Sequence, residues 1–243
     1  MTTGIGHEFM KRTQYRYMGM SGQSRGLPQP QLQTEYDQTQ PVVELPAPVD
    51  VTVARLDLRE AIENRRSVRK YTKGPLSLPE LSYLLWCTQG VKGPVTLRTV
   101  PSAGARHAFE TYLLVNNVQG LTPGLYRFLA IEHQLVEINL ESGLSDRMVA
   151  ACGGQRMVKA GAVTFAWTVD SYRMTWRYGE RGYRYLHLDA GHVCQNLYLA
   201  AESIDCGVCA IAAFDDEAAN RLLGLDGEEQ FVIYFATVGK KPA

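Results

Sequence analysis

Residues 65–71, with the sequence Arg-Arg-Ser-Val-Arg-Lys-Tyr, have the residue types and spacing to bind an anion. Guanidinium groups match phosphate oxygens in a two-pronged geometry, and the hydroxyl of Ser67 adds one more short donor. In an extended segment the side chains of Arg65, Ser67 and Arg69 fall on one face and converge on one anion. A solvated basic helix end, which the helix dipole favours, fits the same spacing. Both interpretations are open at this point. We call residues 65–71 the basic segment.

The composition keeps any anion site local. The chain has 243 residues with 25 basic and 25 acidic side chains, so its formal net charge is zero. This balance argues against general nucleic-acid binding, and no second basic cluster with interleaved aromatic residues accompanies the basic segment. We therefore expect no nucleic-acid partner. No apolar run approaches the length needed to cross a membrane, so we expect no membrane partner either.

The N-terminus and the cysteines predict a cytoplasmic protein. The first eight residues lack the apolar core of a signal peptide, and five cysteines without disulfide-framework spacing suit a reducing compartment. Cys206 and Cys209 form a lone C-x-x-C, whereas metal sites usually need four ligands. The histidines His107, His187 and His192 show no metal spacing. We expect buried thiols, structural histidines and no metal site.

Residues 1–50 are predicted to form an extended N-terminal arm, ahead of a domain over residues 51–243. Gly, Gln and Pro dominate residues 21–33, and later prolines keep the chain extended. The arm is nevertheless too apolar for a free tail, with Phe9, Tyr15, Tyr17, Met18, Met20 and Tyr36. We expect it to lie along a folded surface, such as that of a partner subunit.

The elements around the basic segment are predicted from amphipathic spacing and capping signals. An apolar pattern over residues 54–64 predicts a short helix that leads into the basic segment. Ser77 and Glu80 form a predicted capping box for a second helix, which ends at Gly90. Residues 91–100 are predicted to be a loop.

The rest of the chain mixes strands and helices without a strict βαβ rhythm, which predicts an α+β fold. The predicted strands cover residues 110–116, 124–129, 134–139, 162–169, 208–212 and 231–238. The predicted helices cover residues 144–151, 186–204 and 215–223, and residues 173–184 are predicted to form a basic, aromatic loop. Helix 186–204 is apolar around most of its circumference, so it should be buried centrally or at an interface.

The sequence contains no G-x-G-x-x-G after a strand, no P-loop motif and no H-E-x-x-H. It also shows no recognisable arrangement of Ser, His and Asp. Because cofactors carry the chemistry that side chains do not, a bound cofactor is the natural candidate. The basic segment and a lysine pair at the end of the chain, Lys240 and Lys241, fit a phosphorylated cofactor.

Six motifs, taken in order, resemble the FMN-dependent nitroreductase family, and within it the SagB-type, azoline-oxidase-like dehydrogenases. The first is the basic segment, and the resemblance covers roughly residues 55–241. The other five are PLSLPELSYLLW at 75–86, PSAGAR at 101–106, GLYRF at 124–128, GHVCQNL at 191–197 and AIAAFDD at 210–216. Each motif is weak alone, whereas their order and spacing together are specific.

The resemblance implies a nitroreductase-like α+β fold, with a central, mostly antiparallel sheet flanked by helices. It also implies an intertwined homodimer with two FMN sites at the subunit interface. By this resemblance, Arg65, Ser67 and Arg69 hold the FMN phosphate, helped by Lys240 or Lys241. Arg66 then lies beside the flavin's polar edge or its ribityl chain.

The same resemblance assigns residues to the two faces of the flavin. One face is lined from the other subunit by Pro101, Ser102, Ala103 and Gly104. The opposite face is covered by Ile211, Ala212 and Ala213, with a backbone N–H near Ala213 aimed at flavin N5. Gln155 is the expected contact to the pyrimidine edge. No catalytic side chain is required by this assignment.

The resemblance implies an oxidoreductase that passes electrons from NADH or NADPH through FMN to a nitroaromatic, quinone or similar small-molecule acceptor, with ping-pong kinetics. Two alternatives stay open: oxidation of peptide azolines, and a flavin-binding protein without turnover. Azoline oxidases often carry a Lys-Tyr pair for proton transfer, whereas the local candidate here is Arg177-Tyr178. Arginine stays protonated and cannot act as a base, which leaves Tyr178 as the candidate proton-transfer group.

Overall fold

The central element is an antiparallel sheet. The computed structural model describes residues 4–53, 55–93 and 97–242. Within these residues seven strands pair in the order β1-β4-β3-β2-β5-β7-β6, and every neighbouring pair is antiparallel. The strands are β1 (Val42–Glu44), β2 (Phe109–Val115), β3 (Gly124–Leu129), β4 (Gln134–Asn139), β5 (Val163–Asp170), β6 (Cys206–Ile211) and β7 (Gln230–Lys240). The predicted α+β class is confirmed.

Helices cover both faces of the sheet. They are α1 (Ile5–Arg12), α2 (Leu58–Asn64), α3 (Leu78–Gln89), α4 (Leu144–Ala151), α5 (Met157–Ala160), α6 (Ser171–Tyr178), α7 (Gly182–Glu202) and α8 (Asp216–Leu223). In β2, Leu113 packs into the core beneath α3 and α7, whereas its neighbour Leu114 packs into the core beneath α4 and α8. Because successive side chains of a strand point to opposite faces, a strand between two helix layers is apolar throughout. No helix in the described ranges is long and apolar enough to span a membrane.

The predicted capping signals are confirmed with one shift of boundary. Ser77 caps α3, and the side chain of Glu80 returns a bond to the Ser77 backbone. Helix α2 begins only at Leu58, because the Asp57 side chain accepts the backbone N–H groups of Arg59 and Glu60 and so sets the first turn. The predicted start at Ala54 lies outside the described residues.

The prediction of a loop over residues 173–184 is wrong. Helix α6 and the first turn of α7 occupy this stretch, separated by a 3-10 helix at Gly179–Arg181 whose first residue has φ +53°. The Asp170 side chain caps α6 by accepting the Arg173 backbone N–H. The stretch resembles a surface loop in the sequence because its arginines and tyrosines are amphipathic, with a polar group at the end of each side chain. Arg173 and Trp176 are nevertheless buried in the structure.

The N-terminal arm is not extended throughout, since it contains α1 and short 3-10 helices at Tyr15–Tyr17 and Pro48–Asp50; residues 1–3 lie outside the described ranges. The arm lies along the surface of its own subunit. Strand β1 pairs with β4, the Trp176 indole N–H donates to the Leu27 carbonyl at 3.0 Å, and Arg181 donates to the Thr13 carbonyl at 2.7 Å. Tertiary contacts with α6 and α7 therefore supply the folded surface that the apolar arm requires.

A buried ion pair fastens the middle of the arm. Arg173 donates to Glu110 at 2.7 Å, and the two side chains are 2% and 9% exposed. Glu110 also accepts the Thr34 backbone N–H at 2.7 Å, while Arg173 donates to the Thr34 hydroxyl at 2.9 Å. Breaking a buried pair typically costs about 3–5 kcal/mol, because one charge is left without a partner. The arm is thus tied to a polar centre inside the fold.

The basic segment runs along the outer edge of the sheet. Ser67 forms a parallel bridge with Val208 of β6, and the Val68 N–H donates to the Val208 carbonyl at 2.8 Å. Gly207 of β6 permits this approach: a Cβ there would lie 2.6 Å from the Cβ of Val68. The Tyr71 hydroxyl then donates to the Val68 carbonyl at 2.7 Å and fixes the end of the segment.

We predict that Gly207→Ala lowers the free energy of unfolding by about 1–3 kcal/mol, because the added methyl group forces the basic segment away from β6. Urea denaturation of the purified protein measures the change. Gly6→Ala in α1 is the matched control, since a Cβ there meets nothing within 4 Å. A Gly207→Ala variant as stable as the parent protein would contradict the docking of the segment on β6.

Candidate functional site

Arg65 is the last residue to bond back into α2, and from Ser67 onward the basic segment is extended along β6. Arg66, Arg69 and Lys70 are exposed to solvent, so the anion site stays a prediction. Among the described residues, none of the cations Arg65, Arg66, Arg69 and Lys70 forms an ion pair with a carboxylate. Four uncompensated positive charges therefore lie together at the sheet edge, where an anion would be attracted.

Tyr198 of α7 organises this edge. Its hydroxyl accepts the Ala210 backbone N–H at 2.9 Å and lies 3.1 Å from the Ser67 hydroxyl oxygen. The guanidinium of Arg65 lies over the Tyr198 ring, 5.2 Å from its centroid. The tyrosine hydroxyl can donate its own proton to Ser67, which leaves the Ser67 O–H free to bind an anion. Sequence reasoning missed this role, and the available signal was a hydroxyl on the apolar side of α7.

Small residues with unpaired backbone donors follow β6. Ile211 is buried at the end of the strand, whereas Ala212 and Ala213 are exposed. Within the described chain neither alanine N–H donates to another backbone group. The side-chain amide of Gln155 donates to the Ala213 carbonyl at 3.1 Å. The predicted residues Gln155 and 211–213 are therefore brought together, and a planar ligand could approach them without meeting a bulky side chain.

Residues 101–104 are held by a buried carboxylate of α7. Both oxygens of Asp189 lie 3.2 Å from the Ala103 backbone nitrogen, and the Ser102 hydroxyl accepts the His107 N–H at 2.9 Å. Burial raises the pKa of Asp189, against the opposing effect of its bonds to Ser102 and Ala103. Asp189 was not among the residues predicted from the sequence.

Gly104 has φ +57°, and a Cβ there would lie 2.4 Å from the Tyr178 hydroxyl. The backbone conformation and the close aromatic neighbour both require glycine. The structure thus brings the predicted residues Gly104 and Tyr178 together. Pro101 is exposed, while Ser102 and Ala103 are half-buried.

Residues 101–104 and the basic segment are contacted by residues at different points along α7. Asp189, which holds residues 101–104, and Tyr198, which supports the basic segment, are nine positions apart in this helix. At 1.5 Å per residue this separation is about 13 Å along the helix axis. No hydrogen bond between the two groups is present within the described part of the subunit. The assignment of residues 101–104 to a partner's flavin stays a prediction.

The two C-terminal lysines are already paired. Lys240 donates to Glu80 at 2.5 Å and to the Ile204 carbonyl at 3.1 Å, and Lys241 donates to Glu202 at 2.5 Å. Burial opposes the charge of Lys240, but its bond to Glu80 raises the pKa overall. Lys240 faces Cys206 in the pairing of β6 with β7, near the basic segment. Their predicted help with a phosphate would require them to share or leave these carboxylates.

The cysteines of the C-x-x-C pattern lie in β6. Cys206 and Cys209 are both buried, and burial raises the pKa of the Cys206 thiol to about 11. Three positions apart on a strand, their side chains point to opposite faces. Across the described ranges no three His, Cys, Asp or Glu side chains are grouped so as to hold a metal ion. These thiols are unreactive members of the core, as the sequence predicts.

The residues at the sheet edge fit a phosphorylated flavin. The basic segment supplies cations without a carboxylate partner in the described residues and the Ser67 hydroxyl, which is held by Tyr198. Residues 212–213 supply backbone N–H groups that are unpaired in the described chain, beside small side chains. Cations and a hydroxyl suit a phosphate, and backbone N–H donors suit the polar edge of a flavin ring. The α+β fold and this edge agree with the flavin-dependent oxidoreductase implied by the motifs.

The chain belongs to the Nitroreductase family, whose family model matches residues 62–240. It is 33% identical over 189 residues to MJ1384 of Methanocaldococcus jannaschii, a candidate nitroreductase, with 78% of this chain and 93% of that protein covered. It is 27% identical to the trifolitoxin operon protein TfxC of Rhizobium leguminosarum, with 74% of this chain and 54% of TfxC covered. The N-terminal arm lies outside the residues that the family model matches.

Solved structures confirm the fold. A candidate nitroreductase from Anabaena variabilis is 33% identical, with a TM-score of 0.66 over 76% of this chain and 38% of that chain. Two more distant structures share the fold. One is the Escherichia coli microcin synthetase McbBCD complex with truncated pro-MccB17 bound, with a TM-score of 0.63, 20% identity, and 81% and 77% coverage. The other is a Desulfovibrio desulfuricans candidate nitroreductase in complex with FMN, with a TM-score of 0.56, 18% identity, and 78% and 89% coverage.

We predict that Tyr198→Phe lowers the free energy of unfolding by about 1 kcal/mol, because Ala210 and Ser67 lose their shared hydrogen-bond partner. The same change should weaken retention of FMN, since Ser67 and the basic segment become less ordered. Urea denaturation and fluorescence titration with FMN measure the two effects. Tyr172→Phe is the control, because Tyr172 is 42% exposed. An unchanged free energy of unfolding together with an unchanged FMN affinity would contradict the role of Tyr198 in the site.

Proposed function

We propose that this protein is an FMN-dependent oxidoreductase that passes electrons from NADH or NADPH to a nitroaromatic, quinone or similar acceptor. The observation that carries the proposal is the basic segment, whose cations have no carboxylate partner within the described residues, beside the unpaired N–H groups of Ala212 and Ala213. Membership of the Nitroreductase family and the FMN complex of a structural relative support it.

The residues at the sheet edge would hold the cofactor. Arg65, Ser67 and Arg69 bind the phosphate, and Arg66 lies along the ribityl chain or the polar edge of the ring. Ile211, Ala212 and Ala213 cover one ring face, and Gln155 contacts the pyrimidine edge. Lys240 and Lys241 add positive charge from behind the basic segment, while they keep their contacts with Glu80 and Glu202.

A second copy of the chain would complete the site. Asp189, which holds residues 101–104, and Tyr198, which supports the basic segment, are about 13 Å apart along α7. The proposal follows the family resemblance and places Pro101, Ser102, Ala103 and Gly104 against the flavin of the partner subunit. Exposed apolar side chains on α2 and α7 suit such an interface. Leu58 is 64% exposed, Ile62 is 54% exposed and Leu188 is 60% exposed. The homodimer of the family resemblance is therefore part of the proposal.

When bound, FMN supplies two-electron chemistry between a nicotinamide donor and an acceptor that occupy the same open site in turn. The chain supplies binding, orientation and charge. Arg66, beside the polar edge of the ring, would favour the negatively charged reduced flavin, and the backbone N–H near Ala213 would offer a donor to the ring nitrogen N5. No side chain has to act as a nucleophile. The kinetics expected from alternating occupancy are ping-pong.

Anaerobic bleaching tests this proposal. The purified protein should be yellow, and NADH or NADPH should remove the flavin absorbance, which a nitroaromatic or quinone then restores. The flavin spectrum in a sealed cuvette gives the measurement, and photochemical reduction of the same sample is the control that the flavin is reducible. A yellow protein that neither nicotinamide bleaches would contradict the reductase and leave azoline oxidation or flavin binding without turnover.

A second candidate function is oxidation of azoline rings in a peptide. It is favoured by the position of the Tyr178 hydroxyl against Gly104, in the segment assigned to the flavin face. The similarity to TfxC, and the shared fold with a microcin synthetase complex that has a peptide bound, agree with it. Arg177 cannot be the base, so Tyr178 would carry the proton.

Under this second function, Tyr178→Phe should abolish oxidation of an azoline-containing peptide while FMN stays bound. Under the reductase proposal, the same change should leave nicotinamide-dependent bleaching within about threefold of the parent protein, because no side chain transfers a proton in that step. Mass spectrometry follows the loss of two hydrogens from the peptide. Tyr15→Phe serves as the control, since Tyr15 is 79% exposed in the arm.

A further inference from the structure

A second group of arginines lies at the corner between α6 and α7. Arg106, Arg177, Arg181 and Arg184 all point to this region, and none has a carboxylate ion-pair partner in the part of the chain that the structure describes. The cofactor assignment does not use these residues. Their positive charge therefore requires another explanation.

Two of the four arginines are committed to the N-terminal arm. Arg181 donates to the Thr13 carbonyl at 2.7 Å and to the Tyr185 hydroxyl at 2.7 Å. Arg184 donates to the Thr13 hydroxyl and to the Met10 carbonyl. These contacts attach the arm to the start of α7, and each guanidinium group makes two of them. Arg106 and Arg177 are the two arginines of the group without a role in holding the arm.

Arg106 and Arg177 meet at Gly104. Arg106 donates from Nε to the Gly104 carbonyl at 3.1 Å, and the Cδ and Nε atoms of Arg177 lie 2.9 Å from the position of a Cβ on Gly104. Arg106 is 7% exposed, and its two terminal nitrogens form no hydrogen bond within the described chain. The guanidinium of Arg177 likewise makes no hydrogen bond there. Both groups keep free donors beside the segment assigned to the flavin face.

Aromatic rings form the floor under both cations. The Arg106 guanidinium lies 5.2 Å from the centroid of the Trp176 ring, and the Arg177 guanidinium lies 5.6 Å from that of the Tyr178 ring. Such contacts stabilise a cation by about 0.5–2 kcal/mol but do not neutralise it. Burial and the nearby charge of Arg177 lower the pKa of Arg106. A bound anion would relieve this repulsion.

We propose that Arg106 and Arg177 bind an anionic group, a carboxylate or a phosphate, of the molecule that exchanges electrons at the site. The inference rests on the proposed function and specifies its substrate class. Two cations over aromatic rings suit an aromatic or heterocyclic molecule that carries the anion. The anion has two sources: an acidic acceptor, or the additional phosphate that distinguishes NADPH from NADH.

The two sources of the anion are distinguished with two pairs of substrates, each pair differing in one anionic group. With FMN-loaded protein, kcat/KM is measured for 4-nitrobenzoate and 4-nitrobenzamide, which differ in charge and little in shape, and separately for NADPH and NADH. Arg177→Gln should lower kcat/KM about tenfold for the charged member of one pair, because one charge-assisted contact to the anion is lost. The neutral member of that pair should change less than twofold. The affected pair identifies the source of the anion.

Two further variants exclude a general effect. Arg177→Lys keeps the charge but loses the planar donor geometry, so it should restore part of the preference. Arg147→Gln removes one positive charge from the exposed surface of α4 and should change neither ratio. Equal losses for both members of each pair, or unchanged ratios in Arg177→Gln, would overturn the anion site.

A binding measurement distinguishes failure of this inference from failure of the proposed function. Calorimetric titration of the FMN-loaded protein with benzoate, benzamide and inorganic phosphate needs no turnover. Benzoate or phosphate should bind to the parent protein and lose about tenfold in affinity in Arg177→Gln. If no nitro compound is reduced but this difference is found, the anion site stands and the reductase fails. Indistinguishable binding of both anions in the two proteins would refute the site even if the enzyme reduces nitro compounds.

Discussion

The open edge of β6 is the constraint on which the proposed cofactor site depends. An edge strand exposes a row of backbone donors and acceptors, and here Ser67 and Val68 cover part of that row. The pairing forces the basic segment into an extended form, so its cations lie beside the strand that leads to residues 211–213. Gly207 and the Tyr198 hydroxyl allow and reinforce this contact. The residues proposed for the phosphate and those proposed for the flavin face are thereby neighbours.

Helix α7 connects this edge to the second proposed region. It lies against the sheet and presents Tyr198 to the basic segment and Asp189 to residues 101–104. A buried carboxylate and a buried hydroxyl in an apolar helix are costly to desolvate, and each is compensated by hydrogen bonds. Asp189 accepts the backbone N–H of Ala103, while the Tyr198 hydroxyl accepts the Ala210 N–H of β6 and contacts the Ser67 hydroxyl.

The N-terminal arm is an addition to the region that the family model matches. It is fastened by the buried pair of Arg173 and Glu110 and by the arginines of α7, so it reaches the corner that carries Arg177 and Tyr178. The arginines of residues 173–184 therefore have different roles in the fold. Arg173, Arg181 and Arg184 bind the arm, whereas Arg177 lies beside Gly104.

The sequence by itself determined the α+β class, the capping box of α3 and the family, because periodicity, capping signals and ordered motifs can be read directly from the sequence. It misassigned residues 173–184, whose helices depend on burying Arg173 and Trp176 against other elements. Only the tertiary structure showed that Lys240 and Lys241 are paired, that Tyr198 links Ser67 to β6, and that Asp189 holds residues 101–104. Such partners are distant in sequence, and only the packing of the sheet and α7 decides which of them meet.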